Sequence, residues 1–365
     1  MQRFFQPTFV LSAAAISCGL ALAQSDKPAA PTSVTFTTFD APGAGTGPGQ
    51  GTSAFCINST GVVAGDYDDA KNVNHGFLRA SNGVVTTFDV AGAGKRRHEG
   101  TLVNGINTKG EITGVYIDAK RKGHGFIRRA EGSIVKFDPT GSRSTNASSI
   151  NTAGDVAGFY YAGAGHGDRG FVRAANGTIT SFDVSGAGTG ANQGTFPQAI
   201  DKRGVIAGYY TDTSTVSHGF VRAAHGKITT FDVSGAGSGG FQGSFPAGMN
   251  RAGVVVGYYI DGSNVTHAFE RAADGTITTI EVPGAGQATL AVSVNSAGVI
   301  AGWFLDANGV RHSFERMADG MIVQLDVPGA GTVAGQGTLA DAIANEITGY
   351  YVDASGVSHG FIAAP

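Results

Sequence analysis

Aspartate and histidine recur as pairs along this chain, and these two residue types together suit general acid–base chemistry or metal binding. In every pair the histidine follows six residues after the aspartate. The pairs are Asp69/His75, Asp118/His124, Asp212/His218, Asp261/His267, Asp306/His312 and Asp353/His359. Because an active site is needed only once, the repetition favours structural pairs, in which the carboxylate accepts a hydrogen bond from the imidazole or from turn amides. In one copy Ala162 and Arg169 stand at these positions, so both members change together.

Positive charge is concentrated in two short segments that break the repetition. The first is Lys95-Arg96-Arg97-His98 and the second is Lys120-Arg121-Lys122. A charge run of this kind is ordinarily a solvated loop. The functional interpretation is an anion-binding surface, since clustered Lys and Arg attract negative charge. On that interpretation the ligand-binding residues are Lys95, Arg96, Arg97, Lys120, Arg121 and Lys122.

Four residues that occur outside the repeated pattern are the candidates for catalysis: His98, Glu99, His166 and Asp168. No segment supplies a complete nucleophile, base and oxyanion site, and no cofactor or metal is implied. We therefore expect a non-catalytic binding or scaffold module that recognises an anionic glycan, a small molecule or a protein partner. The alternatives are an enzyme, such as a lyase or a metal-assisted hydrolase, and a purely structural surface protein.

The elements that carry these residues are internal repeats. An FD-like pair recurs every 45 to 49 residues, with its acidic member at Asp40, Asp89, Asp138, Asp183, Asp232, Glu281 and Asp326. One repeat, residues 194–233, contains four β segments: GTFPQAI, GVIAGYYTD, SHGFVRA and KITTFDV. The third and fourth are joined by an x-Gly pair such as His225-Gly226, which predicts a two-residue type I′ turn. That turn would place Phe220 opposite Phe231.

The stretch SVTFTTFD, residues 33–40, repeats the fourth segment but stands alone, and the chain stops after the third segment HGFIAAP. Pairing these two pieces completes a final repeat, which a ring allows and a linear solenoid does not. The sequence therefore predicts an all-β fold, a seven-bladed β-propeller with four antiparallel strands per blade. In this ring the N-terminal strand closes the C-terminal blade.

The N-terminal residues predict export. An apolar run ends in Ala21-Leu22-Ala23, a small-x-small pattern typical of a cleaved signal peptide. We expect a signal peptide at 1–23, a linker at 24–32 and one propeller domain at 33–365. Cys18 lies in a poor lipidation context, so no lipid anchor is expected there. The location would be secreted or periplasmic.

Charge and cysteine content limit the kinds of binding partner and of cross-link that we expect. The chain has 25 basic and 28 acidic residues, for a net charge of −3, which argues against a general nucleic-acid binder. No segment beyond the N-terminal run is apolar enough to span a membrane. Cys56 is the only cysteine outside the predicted signal peptide and lies among apolar neighbours, so we expect it in the core of a monomer without disulfides.

The repeated HGF, HAF and HSF segments, each preceded by an INxxGxIxGxYxD-like run, resemble the bacterial extracellular HAF-repeat family over residues 34–363. The resemblance implies an exported repeat protein whose molecular role is not established for the family. It names no catalytic residues.

Overall fold

The computed structural model describes residues 34–163 and 165–364, and within these ranges the chain forms 28 β-strands and no helix. In the same residues there is accordingly no helix long and apolar enough to span a lipid bilayer. The predicted signal peptide, Cys18 and the linker lie outside the described residues.

The strands follow one another in repeated units of four. The first strands are β2 (Gly51–Ile57), β6 (Gly100–Ile106), β10 (Ser144–Ile150), β14 (Gly194–Ile200), β18 (Gly243–Met249), β22 (Ala288–Val294) and β26 (Gly337–Ile343). The second strands are β3 (Val63–Asp68), β7 (Ile112–Ile117), β11 (Val156–Tyr161), β15 (Ile206–Thr211), β19 (Val255–Ile260), β23 (Ile300–Leu305) and β27 (Ile347–Val352). The third strands are β4 (Asn74–Arg79), β8 (Gly123–Arg128), β12 (Asp168–Arg173), β16 (Ser217–Arg222), β20 (Thr266–Arg271), β24 (Arg311–Arg316) and β28 (Ser358–Ala364). The fourth strands are β5 (Val85–Phe88), β9 (Ile134–Phe137), β13 (Ile179–Phe182), β17 (Ile228–Phe231), β21 (Ile277–Ile280), β25 (Ile322–Leu325) and β1 (Thr35–Phe39).

Within each unit neighbouring strands pair antiparallel, as in β14 with β15, β15 with β16 and β16 with β17. The N-terminal strand β1 pairs antiparallel with β28, as the sequence predicted, with Phe39 opposite Gly360. The two ends of the described chain therefore share one sheet.

Successive units contact one another through their first strands, and β26 also contacts β2. Most junctions add a single parallel bridge, such as Gly243 with Ser217. Between β8 and β10, where the connecting loop is short, the Gly123 amide instead donates to Ser144 Oγ at 3.2 Å.

The phenylalanine of each HGF-like segment forms the centre of its unit. These side chains are fully buried: Phe77, Phe126, Phe171, Phe220, Phe269, Phe314 and Phe361. The second-strand glycine makes room for the ring. In the fourth unit a Cβ on Gly208 would lie 3.0 Å from Phe220 Cζ and 2.3 Å from Phe196 O.

The register between third and fourth strands differs from the predicted one by one residue. Gly219, not Phe220, lies opposite Phe231, and Phe220 lies opposite Thr230. The Phe231 ring covers Gly219, where an added Cβ would sit 2.5 Å from Cζ.

The shift arises because the connecting turn is not the predicted two-residue type I′ turn. Residues 223–227 form the loop, with the Gly226 amide donating to Ala223 O and the Ala223 amide donating to Lys227 O. Gly226 has φ +97°, whereas His225 does not have a positive φ. A type I′ turn needs two positive φ values, whereas this loop has three residues between Ala223 and Lys227, the last of which is a left-handed glycine.

The corrected register explains why HGF varies to HAF and HSF. Glycine lies opposite phenylalanine in five units, as in Gly76 with Phe88. Ala268 lies opposite Ile280, and Ser313 lies opposite Leu325. The larger residue on the third strand thus accompanies a smaller one on the fourth strand, as close packing requires.

An amide ladder links the turns between first and second strands. Asn58 Oδ1 accepts the Thr60 and Val62 amides, and its Nδ2 donates to Asn107 O in the next unit at 3.1 Å. Asn107, Asn151, Asn250 and Asn295 donate likewise to the unit that follows. Asn345 Nδ2 donates to Ser59 O, 286 residues away.

Candidate functional site

Two kinds of loop lie at the same end of the strands. A connector leads from each fourth strand to the next first strand, and a hairpin joins the second and third strands. In the first unit, the start of β2 lies beside the end of β3, since Gly51 pairs with Asp68. We call this end the connector face, and the opposite end, with the turns between first and second strands, the turn face.

The connector of residues 90–99 lies between two hairpins. Its His98 amide donates to Asn72 O of the preceding hairpin at 2.8 Å. On its other side the Gly94 amide donates to Ile117 O at 2.8 Å, and Ala93 forms a bridge with Asp118. The two basic segments therefore lie side by side on the connector face, within the same four-stranded unit.

Five of the six predicted ligand-binding side chains are exposed: Lys95, Arg96, Arg97, Lys120 and Arg121. Within the described part of the chain none of these five forms an ion pair. The sixth, Lys122, is half-buried and lies 3.8 Å from Asp138. The structure thus presents on one surface five exposed cations that form no ion pair with the described chain.

Backbone conformation at two residues of this surface follows the repeat. His98 has φ +63° and Arg121 has φ +62°. The positions that correspond to His98 in other connectors also have positive φ, at Gly49, Asn192, Phe241 and Gly335. Thr215 likewise has φ +62° at the position that corresponds to Arg121, so the basic loops share the backbone of the neutral ones.

Glu99 occupies the position that glutamine holds in other connectors. Gln193 Oε1 accepts the Gly190 amide at 2.8 Å, and its Nε2 donates to Thr213 O at 2.9 Å. Glu99 is buried, and its Oε2 accepts the Arg96 amide at 3.0 Å. A carboxylate cannot donate a hydrogen bond, so Glu99 cannot make the bond to the neighbouring hairpin that Gln193 Nε2 makes to Thr213 O. Glu99 therefore holds the basic connector through the Arg96 amide of the same loop.

His166 and Asp168 lie away from His98 and Glu99. His166 is exposed in the hairpin between β11 and β12, and Asp168 is the first residue of β12. The hairpin of residues 118–122 and the connector of residues 139–143 stand between the two sets. In residues 34–163 and 165–364 no three His, Cys, Asp or Glu side chains are grouped to hold a metal ion.

Asp168 is nevertheless an unusual carboxyl group. It is half-buried at the junction with the next unit, where Asp168 pairs with Gly194. Burial raises its pKa to about 6. Desolvation also raises the pKa of Tyr209 in that next unit, with a smaller contribution from the charge of Asp168. Asp168 therefore titrates close to neutral pH, as a general acid or base does.

The repeated histidines each lie close to the aspartate that precedes them. His218 Nε2 is 3.6 Å from Asp212 Oδ2, and Asp212 Oδ1 accepts the Ser214 and Val216 amides. The other pairs are separated by 3.2 to 3.8 Å. The ring of His218 also stacks on Tyr210 at 4.8 Å.

Sequence reasoning missed a second carboxylate at these histidines. His218 Nδ1 lies 2.8 Å from Asp232, the aspartate of the FD-like pair. The same contact joins His75 to Asp89, His124 to Asp138, His312 to Asp326 and His359 to Asp40. In the third unit Arg169 replaces the histidine and pairs with Asp183 at 2.8 Å. In four of these five pairs the aspartate follows the histidine by 14 residues, and that spacing was the available signal, whereas His359 on β28 contacts Asp40 after β1.

His267 is the exception among the six histidines. Its Nε2 lies 3.2 Å from Asp261 Oδ2, the shortest separation in the set, and its ring stacks on Tyr259 at 4.9 Å. The acidic residue 14 positions later is Glu281, and among the described residues Asp261 is the one carboxylate with which His267 forms an ion pair. The extra methylene of glutamate changes where its carboxylate can reach. His267 therefore keeps the predicted pair with Asp261 and, among the described residues, lacks the second carboxylate partner that the other five histidines have.

Cys56 is buried, and its Sγ lies 3.4 Å from Ala64 O. Burial raises the pKa of the thiol. The thiol is therefore a core group, as the sequence predicted, and is poorly suited to act as a nucleophile.

Solved structures with the same architecture are β-propellers. A catalytically inactive virginiamycin B lyase from Staphylococcus aureus with quinupristin is similar at TM-score 0.57 and 13% identity, covering 91% of this chain and 100% of that chain. A streptogramin B lyase is similar at TM-score 0.55 and 14% identity, covering 90% and 97%. The BP39L lectin from Burkholderia pseudomallei has a TM-score of 0.49 at 9% identity, covering 85% and 94%. No family model and no curated protein matches the chain. At such identities the likeness to the two lyases shows the fold alone, which is that of a β-propeller.

Proposed function

We propose that this chain is an exported seven-bladed β-propeller that acts as a binding module and recognises an anionic ligand on its connector face. Seven units of four strands, contacts between first strands that include β26 with β2, and the bond from Asn345 to Ser59 support a closed ring. The ring is a rigid support, and the loops at one end of it provide recognition.

One observation carries the proposed ligand class. Five exposed cations from two adjacent loops face solvent without a carboxylate partner in the described chain, in a protein whose net charge is negative. Glycine-rich connectors also expose backbone N–H groups that can bind an anion. An acidic glycan fits this surface best, because the cations are spread along two loops rather than gathered around one small pocket. A single phosphate group or an acidic protein segment is the alternative ligand.

The test compares charge reversal on the connector face with charge reversal on the turn face. Arg96→Glu, Arg97→Glu and Lys120→Glu together should reduce retention on an immobilised acidic polysaccharide at low salt by at least about tenfold. Wild-type retention should fall as salt rises, since exposed charges are screened beyond roughly 8 Å at physiological ionic strength.

The matched control carries the same change of net charge on the turn face. Lys109, Lys202 and Arg251 are exposed in turns between first and second strands. Lys109→Glu, Lys202→Glu and Arg251→Glu should leave retention close to that of the wild type. Equal losses in the two triple variants would mean that net charge alone governs retention, and the proposed surface would be wrong.

A second candidate function, as a lyase or hydrolase, is supported by one observation, the half-buried Asp168 with a pKa of about 6. Such a group can transfer protons near neutral pH. The check is a screen for lyase and hydrolase activity in which Asp168→Asn abolishes any activity found. An activity that survives Asp168→Asn would exclude this residue as its acid or base.

A further inference from the structure

The turn face contains two neighbouring cavities that share lining residues. An axial cavity of about 300 Å³ lies among the ends of the first strands, lined by isoleucines and by the amide ladder. A second cavity of about 490 Å³ lies at the seam between the last unit and the first. Both are lined by Asn58, Ser59 and Asn345, so the two cavities lie side by side.

The turn between first and second strands is short beside the seam. In the first six units, five residues separate the first strand from the second, as in residues 58–62. In the last unit only residues 344–346 separate β26 from β27, and the Ala344 amide donates to Glu346 O. Two residues that fill the other junctions are therefore missing here, and the seam cavity occupies their place.

Two opposite charges line the seam cavity without neutralising each other. Arg79 and Glu346 are both half-buried, and neither forms an ion pair with any residue in the described ranges. The residue that corresponds to Glu346 in the second unit, Glu111, is paired with Arg129 and also accepts a bond from Asn107. Glu346 has no such partner in the described chain, because Ala364 occupies the position in the last unit that Arg129 occupies in the second unit.

Arg79 likewise differs from most of its repeats. Its guanidinium stacks on Phe39, 5.1 Å from the ring centroid, as Arg128 stacks on Phe88. Arg128, Arg173 and Arg271 also donate from Nη1 to a backbone carbonyl, and Arg316 donates to Glu270. Arg79 makes no such bond to the described chain. A stacked guanidinium keeps its in-plane donors available, and these match a carboxylate.

We propose that the seam cavity binds a small zwitterion of the amino-acid class, with its carboxylate on Arg79 and its ammonium group on Glu346. Hydroxyl groups of Thr37, Ser59, Thr60 and Ser81 complete a polar lining around it. A ligand with both charges neutralises both protein groups at once, whereas a simple anion or cation leaves one of them unpaired in a partly desolvated site. This site lies at the opposite end of the strands from the basic loops and is independent of them.

The experiment is calorimetric titration of the chain without its predicted signal peptide. The probes are glycine, β-alanine, γ-aminobutyrate and 6-aminohexanoate, a series in which the distance between the two charges increases. At least one member should bind at least about tenfold more tightly than acetate and methylammonium, and the best member reports the spacing of Arg79 and Glu346. If acetate or glucose binds as tightly as the best zwitterion, or if no zwitterion binds, the proposal is wrong.

Two variants and a matched control test whether the zwitterion binds in the seam cavity. Glu346→Gln removes one charge while keeping the shape of the side chain, and it should lower the affinity for the best zwitterion at least about tenfold. Arg79→Gln should do the same. Arg222 is the control, since it stacks on Phe182 at 4.7 Å in the same way but lies at a junction with a full-length turn.

Arg222→Gln should leave the affinity unchanged. If Arg79→Gln does not fold, Glu346→Gln still decides, because the Glu346 side chain has no partner in the described chain. Unchanged affinity in Glu346→Gln would overturn the proposal.

Discussion

The connectors of residues 90–99 and 184–193 have the same backbone and different surfaces. Gly94 and Gly188 each donate to the last residue of the following second strand, at 2.8 and 2.9 Å. His98 and Asn192 both have positive φ. Yet the first loop carries Lys95, Arg96 and Arg97, where the second carries Thr189, Gly190 and Ala191. The repeated frame therefore determines the course of the loop, while its exposed residues are free to differ.

This difference separates two kinds of position. Residues that recur in every unit, such as the buried phenylalanines, or in nearly every unit, such as the hairpin aspartates, should govern stability and leave ligand binding intact. Exposed residues that depart from the repeat should govern binding and have little effect on stability. The following changes test this separation, from the largest expected effect to the smallest.

Removing β1 should have the largest effect on the frame. A chain that begins at residue 41 loses the pairing with β28 and the contact of Phe39 with Phe77, whose ring centroids are 5.8 Å apart. The free energy of unfolding should fall by several kcal/mol, a large part of the roughly 5 to 15 kcal/mol typical of folded domains. A chain that begins at residue 34 is the control. Equal denaturation midpoints for the two chains would contradict the role of β1.

Gly219→Ala should be the most damaging of the single substitutions. Its Cβ would sit 2.5 Å from Phe231 Cζ, so the ring must move, at a cost of about 3 kcal/mol. Adding Phe231→Ile should recover much of the loss, because Ala268 opposite Ile280 is the natural form of that pair. Chemical denaturation of both variants measures the coupling, and a double variant no more stable than Gly219→Ala would be inconsistent with the register.

Asp168→Asn should stabilise the protein at neutral pH. The folded-state pKa is about 6, against an ordinary value of 3.8, so the folded state holds its proton more tightly than the unfolded state. The stability contributed by the protonated form is therefore complete below pH 4 and is lost as the pH rises through 6. Asparagine stays neutral, so the variant should gain about 3 kcal/mol at pH 7 and much less at pH 4. Parallel stability curves for the two proteins would refute this.

Asp212→Ala should destabilise the frame by about 1 kcal/mol, through loss of the bonds from the Ser214 and Val216 amides. Retention on the acidic polysaccharide should not change, since Asp212 belongs to the repeated set. Thermal unfolding and the retention assay together check this. Loss of retention at unchanged stability would instead make Asp212 a binding residue.

Five hairpin aspartates whose pKa is lowered also predict a loss of stability in acid: Asp69, Asp118, Asp261, Asp306 and Asp353. Burial raises the pKa of Asp353. Hydrogen bonds from the Val357 and Ser355 amides and from His359 lower this pKa by more than burial raises it, so the net pKa lies below its usual range. The stability that this carboxylate contributes is present above the unfolded-state pKa and is lost as the pH falls through the folded-state pKa.

Much of the fold was predictable because seven copies of one pattern reinforce each other. The strand β14 coincides with the segment GTFPQAI, and the pairing of β1 with β28 follows from an unpaired copy of the fourth strand. The register was not predicted, because an x-Gly pair is compatible with two turn types that differ by one residue. The covariation of Gly219 with Phe231 and of Ala268 with Ile280 held the missing information.

The candidate site was predictable only where it departs from the repeat. Basic residues were visible at Lys95 to Arg97, but the role of Glu99 depends on a buried bond to the Arg96 amide that spacing alone does not reveal. The seam cavity was likewise hidden, because it comes from two residues that are absent between Ile343 and Ile347. The two missing residues can be related to a cavity only when the structure shows how the neighbouring units pack around that turn.

An exchange between the basic connector of residues 90–99 and the neutral connector of residues 184–193 tests the central claim most directly. The variant carries Lys95→Thr, Arg96→Gly, Arg97→Ala and His98→Asn, and so has the residues of the neutral connector on the basic connector's backbone. Its affinity for the acidic polysaccharide, measured at low salt, should fall at least about tenfold, while its melting temperature stays equal to or above that of the wild type. Unchanged affinity in a folded variant would contradict the account, because the loop that breaks the repeat would then contribute nothing to recognition.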